Sequence, residues 1–322
     1  MNRRPLLLAL PAIALGRAAS AQAPAWPTRP VSVVVPYVPG GPSDLLARAL
    51  AAPLQAAIGQ PVPVENHAGA NGVVAAQHVM RQPPDGHTLF VAASGLMTVT
   101  PLLTRRPPFE TLADFTPLTL AIAAPNLLVV HPGVPATDLR GLLAWMRAAP
   151  ASYGSSGIGS SEHLGMELLA QRTGTTPVHV PYPGGGAAAT DLIAGTLQLS
   201  LLNVATVAAH VAGGRLRAIA VGGTARHPLL PDVPTFAEAG LADFTSGSWH
   251  GIVGPRAMPP ALAGQVGAAL RGALRDPSVA GRLAATGFAV EATDGATLAA
   301  TIAADTERWR GVVRTAGLST DG

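Results

Sequence analysis

Two hydrophobic rhythms alternate along the chain. Short apolar runs, Val31-Ser32-Val33-Val34-Val35 being the first, give way to stretches where apolar residues recur every three or four positions, as at Leu46, Leu50 and Leu54. The first rhythm belongs to strands buried on both faces, the second to helices with one apolar stripe. Strands are predicted at 31–35, 62–65 and 88–93, with helices at 43–58 and 73–81 between them. An extended segment at 118–130 then crosses to a second set. That set reads helix 139–148, strand 152–154, helix 162–171, strand 178–180, helix 187–194, strand 197–201, helix 204–212 and strand 216–221. Residues 248–253 read as a returning strand, and 261–274 and 298–313 as closing helices. Strands alternating with helices predict an α/β fold with mostly parallel sheets flanked by helices. The two extended crossings predict two lobes, 24–124 with 246–322 and 125–245.

The turns carry the candidate chemistry. Four are rich in Gly, Pro or Ser: 39–43, 94–95, 155–161 and 184–186. Two echo each other, one in each predicted lobe. Val35-Pro36-Tyr37-Val38-Pro39-Gly40-Gly41 leads to Ser43-Asp44-Leu45, and Val180-Pro181-Tyr182-Pro183-Gly184-Gly185 leads to Thr190-Asp191-Leu192. Ser43 is the expected N-cap of its helix, and Asp44 adds negative charge to the first turn. The first N–H groups of a helix lack intrahelical partners, and the helix dipole places roughly half a positive charge there. Glycine lets a ligand approach that backbone closely. Such a corner captures a carboxylate without Arg or Lys, and hydroxyls of Ser43, Ser155, Ser156 and Ser161 are candidate extra donors. Ligands of open α/β sheets sit beyond the carboxyl ends of strands, where these turns fall. Glycine turns also end strands in any α/β protein, so one turn alone is weak; four of them on two lobes favour binding. Gly157-Ile158-Gly159 opens like a dinucleotide fingerprint, but Glu162 stands at the third Gly position and the motif fails.

The N-terminus changes the compartment. Arg3-Arg4, an apolar stretch over 6–15 and small-x-small sites at Ala19-Ser20-Ala21 and Ala21-Gln22-Ala23 read as an export signal over residues 1–23. The stretch is shorter than the ~20 residues a membrane span needs. Export by the general secretory or the twin-arginine route into the periplasm is expected. The leader also explains the basic balance. No lysine occurs, so all 21 basic residues are Arg; without Arg3, Arg4 and Arg17, 18 Arg face 18 acids. With no basic run and 4% aromatic residues, nucleic acid is not an expected partner.

Absent residue types exclude whole chemistries. Without Lys there is no Walker loop, kinase site or pyridoxal phosphate Schiff base. Without Cys there is no thiol catalysis, thiolate zinc site or disulfide. The nine His include no H-x-H or H-x-x-x-H pair, so no metal is expected, and no cofactor either. The rival reading is a secreted serine hydrolase, with Ser155 or Ser156 as nucleophile, His163 as base and Asp191 as orienter. It lacks a G-x-S-x-G elbow. Trp145, Trp249 and Trp309 read as core or hinge packing.

Several motifs together resemble the Bug family, the periplasmic solute-binding proteins of tripartite tricarboxylate transporters. They are Val34-Val35-Pro36-Tyr37 with Pro39-Gly40-Gly41-Pro42-Ser43-Asp44, Val64-Glu65-Asn66, Pro84-Asp85-Gly86-His87-Thr88-Leu89, Tyr153-Gly154-Ser155-Ser156-Gly157, His163-Leu164, Val178-His179-Val180-Pro181-Tyr182 and residues 228–235. The resemblance covers residues 26–320 and implies a two-lobe Venus-flytrap fold, type II-like, closing on a small organic carboxylate. It implies no enzymatic activity, a monomer, and as partners the permease subunits of such a transporter or a sensor. Together with the turns it gives a candidate ligand-binding set: Tyr37, Gly40, Gly41, Ser43, Asp44, Ser94, Gly95, Ser155, Ser156, Gly157, Ser161, His163, Tyr182, Gly185 and Asn203. Two departures are expected to make the cleft less polar. Pro183 stands where the family commonly has a basic or polar residue, and Leu202-Asn203 where it often has Asp-Asn.

Overall fold

The computed structural model describes residues 26–319, so the expected leader over 1–23 lies outside the described residues. Strand β1 (Ser32–Val35) leads into helix α1 (Pro42–Ile58), followed by β2 (Val64–Asn66), α2 (Val73–Met80) and β3 (Thr88–Ala93). A helical stretch over 94–102 and a single turn, α3 (Thr111–Asp114), precede the long strand β4 (Phe115–Val130). Next come α4 (Leu139–Ala148), β5 (Ser152–Ser155), α5 (Ser161–Thr173), β6 (Val178–Pro181), α6 (Gly185–Ile193), β7 (Leu199–Asn203), α7 (Val204–Ala212) and β8 (Arg217–Val221). The chain closes with β9 (Gly247–Pro255), α8 (Pro260–Leu274), α9 (Pro277–Ala285), β10 (Ala289–Val290) and α10 (Gly295–Thr315).

Strand β4 belongs to two sheets. Its residues 115–125 pair antiparallel with β9, giving the order β2-β1-β3-β9-β4 with β10 beyond. Residues 126–130 pair with β7 on one side and β8 on the other, and β7 continues to β5 and β6. The parallel pairs are β1 with β2 and β3, and β5 with β6 and β7. The central strands β1, β3, β4 and β7 are mostly buried, which is why they read as continuous apolar runs. In β1, Val33 and Val35 enter one core while Val34 enters the core behind the sheet. Leu127 and Val129 of β4 face one side of the second sheet, Leu128 and Val130 the other. A further cluster joins the lobes: Leu164 of α5 packs against Val99 and Leu103 and against Trp309, Val312 and Val313 of α10.

Several local expectations are corrected. Ser43 is not the N-cap of α1; Gly41 holds that position and Pro42 opens the helix, where its missing N–H costs nothing. Residues 94–95 do not end β3 as a turn. Ser94 is already helical (φ −50°, ψ −51°) and begins a wide helical turn in which Thr98 Oγ1 donates to Ser94 O. The strand expected at 197–201 lies at Leu199–Asn203, because Asn203 ends it and caps α7 by accepting from Ala205 N. Helix α9 was not foreseen, although Asp276 caps it and Pro277 opens it.

Candidate ligand-binding cleft

In the first lobe the corner between β1 and α1 is a closed hydrogen-bond ring. Asp44 Oδ2 accepts from Gly40 N (3.0 Å) and Arg48 Nε (2.9 Å), and Oδ1 accepts from Asn66 Nδ2 (3.0 Å). The same amide of Asn66 donates to Tyr37 O (3.0 Å). Burial opposes ionisation of Asp44, but the hydrogen bonds from Arg48, Gly40 and Asn66 outweigh it and hold the carboxyl below its ordinary range. Gly40 has φ +94°, a left-handed conformation that glycine adopts without strain. With the ring closed, the N–H groups of Gly41, Ser43 and Asp44 have no acceptor among the described residues. Ser43 is buried and its Oγ has no partner among the described residues.

In the second lobe the corner between β5 and α5 is held from behind by histidines. Ser155 Oγ contacts His179 Nε2 (2.7 Å) and accepts from Gly157 N (3.1 Å). Gly159 N donates to His163 Nδ1 (3.1 Å). The two imidazoles stack at 3.9 Å with 13° between planes, and Tyr153 stacks on His179 at 4.9 Å. Burial pushes His163 down to about 4, and burial with the neighbouring His163 does the same to His179. Both rings are therefore neutral acceptors or donors at neutral pH. Ser156 Oγ donates to Glu162 Oε2 (2.7 Å), and Ser161 Oγ accepts from Asn126 Nδ2 (3.4 Å). Ser160, not Ser161, caps α5. The N–H groups of Ser156, Ile158, Ser161 and Glu162 are left without acceptors among the described residues.

The two corners face each other. Among the described residues Tyr37 makes no hydrogen bond through its hydroxyl, and its pKa is pushed up to about 12 by burial and then by the charge of Glu162. Gly95 of the first lobe lies against Gly159 O of the second, close enough that an added Cβ would sit 3.2 Å away. A cavity of about 610 Å³ lies at the seam, with Asn71, Thr104 and Arg106 from the first lobe and Gly157, Ile158 and Pro181 from the second in its wall.

Of the expected set, Gly157 lines this cavity. Asp44, Ser155, Ser156, Ser161, His163 and Tyr182 instead turn their polar atoms to protein partners; Tyr182 OH donates to Asp191 Oδ2 at 2.6 Å. Gly185 begins α6 in the echoing corner. Asn203 sits where the chain crosses between lobes, reaching Ser248 Oγ (3.3 Å). Ser94 and Gly95 back the seam rather than forming a turn. The hydrolase constellation is not assembled. Ser156 bonds Glu162, His163 bonds Gly159, and Asp191 bonds Tyr182. The Ser155–His179 contact is sealed, with Ser155 fully buried. Sequence reasoning missed Asn71, Thr104 and Arg106. Asn71-Gly72 is a turn signal, and Arg105-Arg106 a local charge, that nothing in the linear pattern tied to the cleft.

Two α/β lobes around one cleft define the class of two-lobed solute-binding proteins. Residues 46–318 match the model of the tripartite tricarboxylate transporter family receptor, and the chain belongs to that family. It is 35% identical to protein BugT of Bordetella pertussis over 306 residues, 94% of each chain. Among solved structures, it resembles Rpa4515 of R. palustris, determined with adipate, at 32% identity and a TM-score of 0.82, covering 92% of this chain and 99% of that one. It also resembles MatC of Rhodopseudomonas palustris, determined with malate, at 32% identity and a TM-score of 0.79, covering 89% and 100%.

Proposed function

We propose that this protein is an exported receptor that holds a small organic carboxylate between its lobes through main-chain amides. The observation that carries the reading is the division of labour at the two corners. Side chains of Asp44, Asn66, Ser155, His163 and His179 brace the turns, while the N–H groups of Gly41, Ser43 and Asp44 and of Ser156, Ile158 and Glu162 stay unpaired. Unpaired N–H groups at a helix start are an anion site, and two such sets on facing lobes grip one guest from both sides. The adipate and malate held by the two R. palustris proteins support a carboxylate as the guest. The closing bodies are 24–124 with 246–322 and 125–245, hinged where β4 and the start of β9 cross. Ligand contacts to both bodies bias the open–closed equilibrium toward closure. The partner is the permease of a tripartite transporter or a sensor, reached in the periplasm after removal of the leader. Among the described residues no helix is long and apolar enough to cross a membrane.

A thermal-shift screen of protein freed of co-purified ligand tests this. Malate and adipate are expected to raise Tm, with ~2.7 kcal/mol of stabilisation at a hundredfold excess over Kd. Response to neutral sugars alone would overturn the reading.

A further inference from the structure

Between Leu120 and Val130 the long strand β4 carries one polar residue, Asn126. It stands where the pairing of β4 passes from β9 to β7, on the crossing between the sheets. Three segments are tied there through their backbones. Asn126 N donates to Ser246 O (2.9 Å), Ser246 N to Gly222 O (2.9 Å) and Gly222 N to Asn126 O (2.7 Å). The Asn126 side chain is fully buried. Its Nδ2 donates to Ser246 Oγ (3.0 Å) and, at a longer 3.4 Å, to Ser161 Oγ at the start of α5. Its Oδ1 has no partner among the described residues. Helix α5 also lies directly on this crossing. At Gly165 an added Cβ would overlap Ser246 Oγ and come within 2.6 Å of Leu201 Cδ2.

A buried carboxamide with one half unpaired lowers stability, and an apolar residue of the same shape avoids that cost. The place of Asn126 gives the reason for keeping it. It joins the crossing strand to the helix whose first N–H groups, those of Ser161 and Glu162, lack acceptors among the described residues. Because Ser161 Oγ accepts from Asn126, the Ser161 hydroxyl keeps its proton for another acceptor. A hydroxyl that accepts one hydrogen bond donates the next more strongly. We propose that Asn126 is a positioning residue for ligand binding: it ties the start of α5 to the crossing strand and presents the Ser161 hydroxyl as a donor to the guest. This rests on the cleft reading above and adds a residue that itself touches no guest. A neutral amide suits the role. A carboxylate of the same shape would accept from Ser161, consume that proton and add a charge that repels an anion.

The test is a double-mutant cycle on ligand affinity. Ligand-free wild type, Asn126→Ala, Ser161→Ala and the double variant are titrated calorimetrically with malate and adipate, and each is melted without ligand. Either single substitution is expected to weaken whichever acid binds wild type about fivefold, the size of one hydrogen bond's net worth. The double variant is expected to lose about fivefold as well, rather than the roughly 25-fold product, because either change breaks the same relay. Ser161 is partly exposed, so Ser161→Ala should melt as wild type does. A residue that only held the fold would lower the melting temperature of Asn126→Ala and leave its affinity alone. Affinity within about twofold of wild type in Asn126→Ala, or losses that multiply in the double variant, would overturn the inference and leave the amide-held carboxylate standing. If Asn126→Ala does not fold, Ser246→Ala, which releases the carboxamide from its shorter bond, takes its place in the cycle under the same criteria. Wild type that binds neither acid would overturn the cleft reading first, and this inference with it.

Discussion

Gly41 enters α1 with φ −80° and ψ 173°, and no atom lies within 4 Å of where a side chain would begin. Nothing in the protein requires glycine there; the proposed ligand, resting on this backbone, would. Gly41→Val is therefore expected to keep its melting temperature within about 2 °C while malate or adipate affinity drops at least tenfold by calorimetry. Gly40 is the contrast, since φ +94° strains any side chain and Gly40→Val should lose both stability and binding. The Asp44 carboxylate braces the corner, while the Asp44 N–H stays among the unpaired amides. Asp44→Ala frees Gly40 N, Arg48 and Asn66 at once and should cost ~1–3 kcal/mol in urea denaturation. Ser156→Ala should leave ester turnover at background, as in wild type, because Ser156 is tied to Glu162 and not to His163.

Helix and strand positions were legible wherever periodicity and caps agreed. Residues 139–148 and 204–212 read as the helices they are, since a strong apolar stripe in one and a flanking Asn203 cap in the other leave no competing register. The glycine corners were legible too, because a Pro-Tyr, Gly-Gly, helix-start order is local. Their side-chain partners were not, because those partners come from distant parts of the chain. Asn66 reaches Asp44 from the end of β2, and His179 reaches Ser155 from β6. The second-lobe corner makes a prediction at this scale. His163 and His179 each have a folded pKa of about 4 against an ordinary 6.5, with burial the first cause. Above pH 6.5 these rings are neutral in both states and their stability is intact. Between 6.5 and 4 the unfolded chain binds protons the folded one refuses, so stability falls as pH falls and levels off below 4. His163→Asn keeps an acceptor near Gly159 N but does not titrate, so its urea midpoint should fall less steeply over pH 6.5 to 4. An unchanged slope would mean that His163 is not buried neutral.

For the molecule as a whole, one apolar cluster between the lobes centres on Leu164 of α5. Leu164 is fully buried, in a cluster with Val99, Leu103 and Trp309. Leu164→Ala is expected to cost ~2–5 kcal/mol by denaturant titration. Leu229→Ala, at a position 44% exposed, should stay within about 0.5 kcal/mol. The two-lobe plan itself was readable from the two extended crossings. That α10 returns to seal the seam was not, because its stripe says only that one face is covered and not by what.

Strand β9 fills the place between β3 and β4, and it is made of residues 247–255. Until that segment is present, the first sheet stands open down its middle, while 126–221 already contains every strand of the second. Birth order and sequence order are thus reversed: the half that starts the chain is the last to become whole. Nascent or C-terminally clipped forms should carry one protease-resistant piece from the centre of the chain, flanked by arms that digest freely.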